Sequence, residues 1–194
     1  MAKTPAPPNF WSNATLEPKR AFRFLVTLSI GGTDVQFLAK SVKRPSYTVT
    51  SSPHKFFNHT FHYPGRVEWG TVSLTLVDDI TVNGAELLYD HLSEIGYMTP
   101  TSTATASDHT ITKKTATAAM DTFRIEEKGT PSGTTATSTV GTWKLQNAFI
   151  TSVDFGEHSY DTEDMIDIQL EIQYDWAMYS KGEYVASGAS GAEK

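Results

Sequence analysis

A chain of 194 residues, 39% of them hydrophobic, can bury a core as one domain, and its lack of cysteine excludes disulfides and thiolate metal sites. Its formal net charge of −6 argues against ordinary nucleic-acid binding, in which a basic footprint supplies most of the affinity.

Met1 to Pro18 carries Phe10, Trp11 and Leu16 without a period and reads as an arm. Met1 to Phe10 has no apolar core of the secretory kind and no stretch reaches the length of a membrane span. A soluble protein made in the cytoplasm is therefore expected, with chance sequons at Asn13 and Asn58. From Ala21 to Ile30, Phe22, Phe24, Val26, Leu28 and Ile30 share one strand face, and Gly31-Gly32 suits a tight hairpin. Val35 to Val42 is the expected return strand, ended by Lys43-Arg44-Pro45. Tyr47 to His62 is extended, and the Pro-Gly pair makes Tyr63-Pro64-Gly65-Arg66 a turn. Val72, Leu74 and Leu76 then mark a core strand closed by Asp78-Asp79.

The spacing predicts a helix over 85–95, capped by Asn83 with Glu86 three residues on, and stopped by Gly96. Ala85, Leu88, Leu92 and Ile95 form its inward stripe. Glu86, Asp90 and Glu94 form an acidic one, either a solvated face or a docking surface for a basic partner. Residues 99–139 are dominated by Thr, Ser, Ala and Gly, with one better run at Met120 to Lys128, and read as an insertion outside the core.

Two alternating runs follow. Trp143, Leu145, Phe149, Val153 and Phe155 share one face of the first; Ile166, Ile168, Leu170, Ile172, Tyr174 and Trp176 share one face of the second. Joined by Gly156 to Asp164, they predict an antiparallel hairpin, dry on one face and wet on the other. The organisation is a mainly β domain over 1–178 containing the 99–139 insertion, then a loose Gly-Ala-Ser-rich tail over 179–194. Residues 1–60 carry eight Lys or Arg against two acids, and residues 141–178 eight acids against Lys144 alone. That polarity serves either neutralisation within one fold or complementarity between copies.

Nothing in the sequence makes a catalytic, cofactor or metal site. His59 and His62 point to opposite faces of a strand and, with His54, lack a completing Cys or carboxylate. Glu157, His158, Ser159 and Asp161 have the letters of a hydrolase triad, but neighbours in one loop do not reach triad geometry. Asp161, Glu163 and Asp164 lack the glycine and spacing of a calcium loop.

Several motifs occur in a telling order: Glu17-Pro18-Lys19-Arg20 before a Phe-rich strand, Lys43-Arg44-Pro45 after the next, Tyr63-Pro64-Gly65-Arg66 before Trp69, Asp78-Asp79, one helix, and the closing 143–176 segment. Over residues 17–98 and 141–178 this order resembles the tail tube protein of contractile-tailed, T4-like bacteriophages. The resemblance implies an antiparallel β-sandwich or barrel with one flanking α-helix. It implies a homo-hexamer stacked into a tube, with inner strands of six subunits joined into one barrel around a lumen that conducts DNA without binding it. The sheath protein, the baseplate tube initiator and the tail terminator are the implied partners, in a virion assembled in the host cytoplasm without a membrane. On that footing Asp167, Gln169, Glu171, Gln173 and Asp175 are the candidate lumen lining, an acidic wall that repels phosphate. The 47–66 segment is the candidate ring-stacking element, with Phe56, Phe57, Phe61 and Tyr63 as anchors and Lys40, Lys43, Arg44, Lys55 and Arg66 as its cations. Glu86, Asp90 and Glu94 are the sheath-facing candidates. The rivals are a tube initiator or baseplate protein of the same machinery, a monomeric glycan-binding β-sandwich and, more distantly, an enzyme.

Overall fold

The alternation read from the sequence builds two antiparallel sheets packed over one core. A computed structural model describes residues 18–30, 33–34, 39–80, 83–97, 110–129, 139–161 and 163–182. In chain order its elements are β1 (Phe24–Ile30), β2 (Thr33–Asp34), β3 (Ala39–Val42), β4 (Tyr47–Phe56), β5 (His59–Trp69), β6 (Val72–Val77), α1 (Gly84–Glu94), α2 (Lys113–Ala119), β7 (Met120–Lys128), β8 (Thr139–Gln146), β9 (Phe149–Asp154), β10 (Asp167–Gln173) and β11 (Trp176–Lys181). One sheet has the order β11-β8-β7-β1-β2 and the other β3-β6-β10-β9, while among the described residues β4 and β5 pair only with each other.

The core lies between the two larger sheets. Val26, Leu28 and Ile30 of β1 with Phe123 and Ile125 of β7 meet Val72, Leu74 and Leu76 of β6 and Ile168, Leu170 and Ile172 of β10, all buried. Each such side chain contributes roughly 1.5–3 kcal/mol by leaving water. The helices pack against this body: α1 contacts β1 and α2, and α2 contacts β7 and β9. Helix α1 follows its sequence signals closely. The Glu86 amide donates to Asn83 Oδ1 at 3.2 Å, and Gly96 follows with φ of 106°. Its inward face differs from the expected stripe, because Gly84, Leu88 and His91 are the buried positions.

Several further expectations are corrected. The 143–176 segment is not one hairpin. β8 pairs with β7 and β11 in one sheet, whereas β9 pairs with β10 in the other. The chain changes sheet at Asn147, whose φ of 53° an asparagine tolerates, and changes back at Tyr174–Asp175. The two crossings are tied together: the Asp175 amide donates to the Gln146 carbonyl at 3.1 Å, and its carboxylate accepts from Asn147 Nδ2 and Lys113 Nζ, each at 2.7 Å.

Ala39–Val42 is likewise no return strand beside β1, for it pairs with β6 in the opposite sheet; residues 31–32 and 35–38 lie outside the described residues. The Pro64-Gly65 pair is not a turn. Gly65 and Arg66 bulge out of β5 opposite Thr50, where the Arg66 amide donates to Thr50 Oγ1 at 2.9 Å and a Cβ on Gly65 would lie 2.4 Å from that oxygen. The hairpin turns instead at Phe57-Asn58, with Phe57 at φ of 49°. Finally, 99–139 is not wholly outside the core. β7 sits in the middle of its sheet with Phe123 and Ile125 each 1% exposed, and α2 precedes it behind a Thr112 cap whose hydroxyl accepts from the Thr115 amide. The expected loose tail over 179–194 also begins too early, since Tyr179, Ser180 and Lys181 end β11 opposite Trp143, Thr142 and Gly141 of β8. Residues 98–109, 130–138, 183–194 and 1–17 lie outside the described residues.

Candidate assembly surfaces

The sheet β3-β6-β10-β9 is buried on one face and wet on the other. Its register aligns Ser41, Thr75, Gln169 and Asp154 in one outward row and Ser73, Glu171 and Ser152 in the next. Of the five lumen candidates, Asp167, Gln169, Glu171 and Gln173 occupy the outward positions of β10. Asp175 does not join them, because the chain has already turned; Lys113 first and Asn147 second hold its carboxyl below the usual range by hydrogen bonding. Asp167 is engaged by Lys40 Nζ at 2.5 Å. Alternation puts Ser73, Thr75, Ser152 and Asp154 opposite the core residues of their strands, but the sequence reading did not count them among the lumen candidates. The two outer strands, β3 and β9, have no further strand beside them among the described residues. Sheet edges of this kind are ordinarily covered or paired.

The hairpin of β4 and β5 is an arm. All of β4 and all of β5 up to Glu68 are exposed, and eleven residues of strand reach about 35 Å. Its base is fixed by Trp69, whose ring lies 5.4 Å from Tyr47 and 5.9 Å from Tyr174. Register puts Phe56 opposite His59, His54 opposite Phe61 and Ser52 opposite Tyr63, so three aromatics and two imidazoles share one face of the outer half. Tyr47, Val49 and Val67 form a second exposed patch on the other face, nearer the base. The candidate stacking anchors thus fall together, and Phe56 and Phe57 meet edge to face at 4.5 Å. His62 lies on the opposite face from His54 and His59, with Nδ1 3.3 Å from Ser51 Oγ.

The cations named with the arm are split. Lys55 and Arg66 are exposed on it and Lys43 stands beyond β3, but Lys40 and Arg44 turn toward the body. They line a groove of about 800 Å³ between β3 and the adjoining ends of β1 and β7. Lys19, Arg20 and Lys128 also line it, and Glu127 is its one lining acid among the described residues. Burial works to raise the Glu127 carboxyl, and the hydrogen bonds and charges of Lys19 and Arg44 outweigh it, holding the group below its usual range. The Arg44 contact measures 3.1 Å. Hydrogen bonding to Glu127 in turn raises Lys19 against its own burial. Sequence reasoning did not foresee the groove, because its charges come from three separated segments.

Glu86, Asp90 and Glu94 are exposed together on α1. Beneath them His91 is only 4% exposed, and burial pushes its imidazole below the ordinary value despite Glu94, whose carboxylate lies 4.0 Å away. Among the described residues no three His, Cys, Asp or Glu gather to hold a metal ion, and no helix is long and apolar enough to cross a membrane.

The chain matches no protein-family model and no curated protein. Solved structures do share its fold. A chain of the anti-feeding prophage baseplate, 6-fold symmetrised, superposes with a TM-score of 0.60 at 15% identity, covering 86% of this chain and 97% of that one. A chain from the sheath/tube terminator of an extracellular contractile injection system, PVC, in its extended state, gives 0.61 at 16% over 86% and 99%. One from the sheath-tube complex of that system gives 0.58 at 16% over 87% and 95%.

Proposed function

We propose that this chain is a structural subunit of a contractile-tail tube, closing six to a ring and stacking ring on ring into a conduit for phage DNA. The observation that carries the reading is the sheet β3-β6-β10-β9. Every neighbour in it is antiparallel and its strands number four, so β3 and β9 run in opposite directions. A rotation that brings β9 of one copy beside β3 of the next therefore continues the antiparallel ladder unbroken, and six such steps leave no edge.

Magnitudes support this closure. Six four-stranded sheets at about 4.8 Å per strand give a circumference of about 115 Å and a backbone diameter of about 37 Å, which strand tilt widens. Side chains of about 5 Å on each side leave a bore of about 27 Å, room for a double helix. The wall of that bore is the wet face, where Glu171 and Asp154 stand among Ser, Thr and Gln. Lys40 is neutralised on this face by Asp167, and the remaining acids repel phosphate and give DNA nowhere to lodge. The arm reaches the neighbouring ring with Phe56, Phe57, Phe61 and Tyr63, and Glu86, Asp90 and Glu94 face the sheath.

Folds shared with sheath/tube and baseplate chains of contractile injection systems agree with this reading. Light scattering with negative-stain microscopy of the purified chain tests it: hollow tubes of uniform bore are expected. Single rings that do not stack would favour an initiator or terminator of the same machinery. A monomer at every concentration and salt would overturn the proposal.

A further inference from the structure

The two edges of the four-stranded sheet differ in charge as well as in direction. Asp154 lies level with Gln169, and Gln169 with Thr75 and Ser41, so β9 ends and β3 begins at the same end of the sheet. Beyond β9 comes the 155–166 connection. Its described residues Glu157, Asp161, Glu163 and Asp164 are all exposed, no Lys or Arg interrupts them, Tyr160 stands fully out and Met165 is largely exposed. Flanking β3 is the groove of about 800 Å³ with Lys19, Arg20, Lys40, Arg44 and Lys128 on its walls and Phe24, Val42 and Ile125 among its lining. Phe22 is exposed at its mouth. Three carboxylates of the same chain, Glu126, Glu127 and Asp167, partner four of those lysines and arginines, and Glu127 alone lines the groove. Five named cations set against three carboxylates leave the groove net positive over an apolar floor, and the connection is anionic with apolar tips.

We infer that this groove receives the acidic 157–164 connection of the next copy in the ring, so that charge selects the β9-to-β3 pairing and excludes β3-to-β3 and β9-to-β9 pairing. The inference rests on the ring proposed above and names the surface that gives it one direction. Head-to-head contacts would oppose groove to groove or connection to connection, and like charges brought together cost free energy. The head-to-tail contact alone is complementary. It also accounts for the polarity of the chain, basic before residue 60 and acidic after 141, as recognition between copies.

Two charge-reversed variants test this. One carries Glu157→Lys, Asp161→Lys, Glu163→Lys and Asp164→Lys; the other carries Arg20→Glu and Lys40→Glu. Circular dichroism and thermal melting establish that each is folded, and light scattering reads assembly. Each variant alone should lose ring formation at least about tenfold relative to wild type, because its two edges now repel. Mixed in equal amounts they should recover rings, since the reversed connection fits the reversed groove and the native connection fits the native groove, around a ring of alternating copies. Wild-type ring assembly should slow about tenfold or more between 50 and 500 mM NaCl. Rings formed normally by either folded variant alone, or no recovery on mixing, would overturn the inference while leaving the tube reading in place. Failure of the wild type to form any ring would instead remove the tube reading itself.

Discussion

Replacing Phe56 and Phe57 by alanine should abolish ring stacking and leave the subunit folded. Both rings stand in solvent at the tip of the arm, Phe56 at 58% and Phe57 at 91% exposure, and neither belongs to the core cluster. Docking against a neighbouring ring would cover most of what is now open, about one and a half phenylalanines' worth of surface. At about 1.5–3 kcal/mol for a whole side chain this amounts to roughly 2–4 kcal/mol per arm, or about thirty- to a thousandfold in affinity per contact. In the proposed tube a ring would engage its neighbour through several arms at once, so the loss would multiply. The assay is sedimentation of tubes alongside thermal melting of the unassembled chain, with tubes lost and the melting temperature unchanged. Phe57→Gly is the control. Phe57 holds φ of 49°, where a non-glycine residue costs about 1–2 kcal/mol, so glycine should weaken stacking while stabilising the monomer. Normal tubes from the double alanine variant would refute the reasoning, and a collapsed melting temperature would show that the arm is part of the core.

Two further outcomes probe the body of the fold. Phe123→Ala, at a position 1% exposed in the middle of β7, should cost about 3–5 kcal/mol in urea unfolding; a loss under about 1 kcal/mol would return 120–128 to the status of a surface insertion. Buried His91, with its imidazole lowered by burial, takes up a proton in the unfolded chain before it does in the folded one. Stability should therefore fall as pH drops below about 6.5, by at most about 1.4 kcal/mol per pH unit, down to the folded-state value. His91→Gln should flatten that slope, and parallel profiles for the two chains between pH 7.5 and 5.5 would contradict the assignment.

The core strands and the first helix were legible because each carries its own local signal. β6 and β10 alternate without a slip, and Asn83 with Glu86 announces α1. What the sequence left hidden is which sheet a strand joins. Alternation reports that one face is dry, and Leu145 and Val153 give the same report from opposite sides of the sandwich. The switch depends on Asn147 in a left-handed conformation and on Asp175 binding Asn147 and Lys113, contacts that join segments about thirty and sixty residues apart in sequence. β7 was hidden by its surroundings, since threonine-rich flanks lowered the apolar signal of Phe123 and Ile125. Pro64-Gly65 misled for another reason. Glycine was needed there for close approach to Thr50 in a bulge, whereas the reversal went to Phe57, a residue with no turn propensity. The arm's aromatics stood out in the sequence because they are dense in a polar stretch. Their division into two faced patches required the register.

The central claim is that the sheet edges finish their hydrogen bonding on sister copies. The chain has no cysteine, so cysteines introduced at Ser41 on β3 and Ser152 on β9 report on that contact without background. A short bismaleimide linker spans the diagonal cross-strand separations of about 7–8 Å. The account predicts that the Ser41→Cys, Ser152→Cys double variant, treated after assembly, yields a ladder of covalent species that stops at six copies, while neither single variant goes beyond two. A double variant that links no further than the singles, under conditions in which particles still assemble, would contradict it.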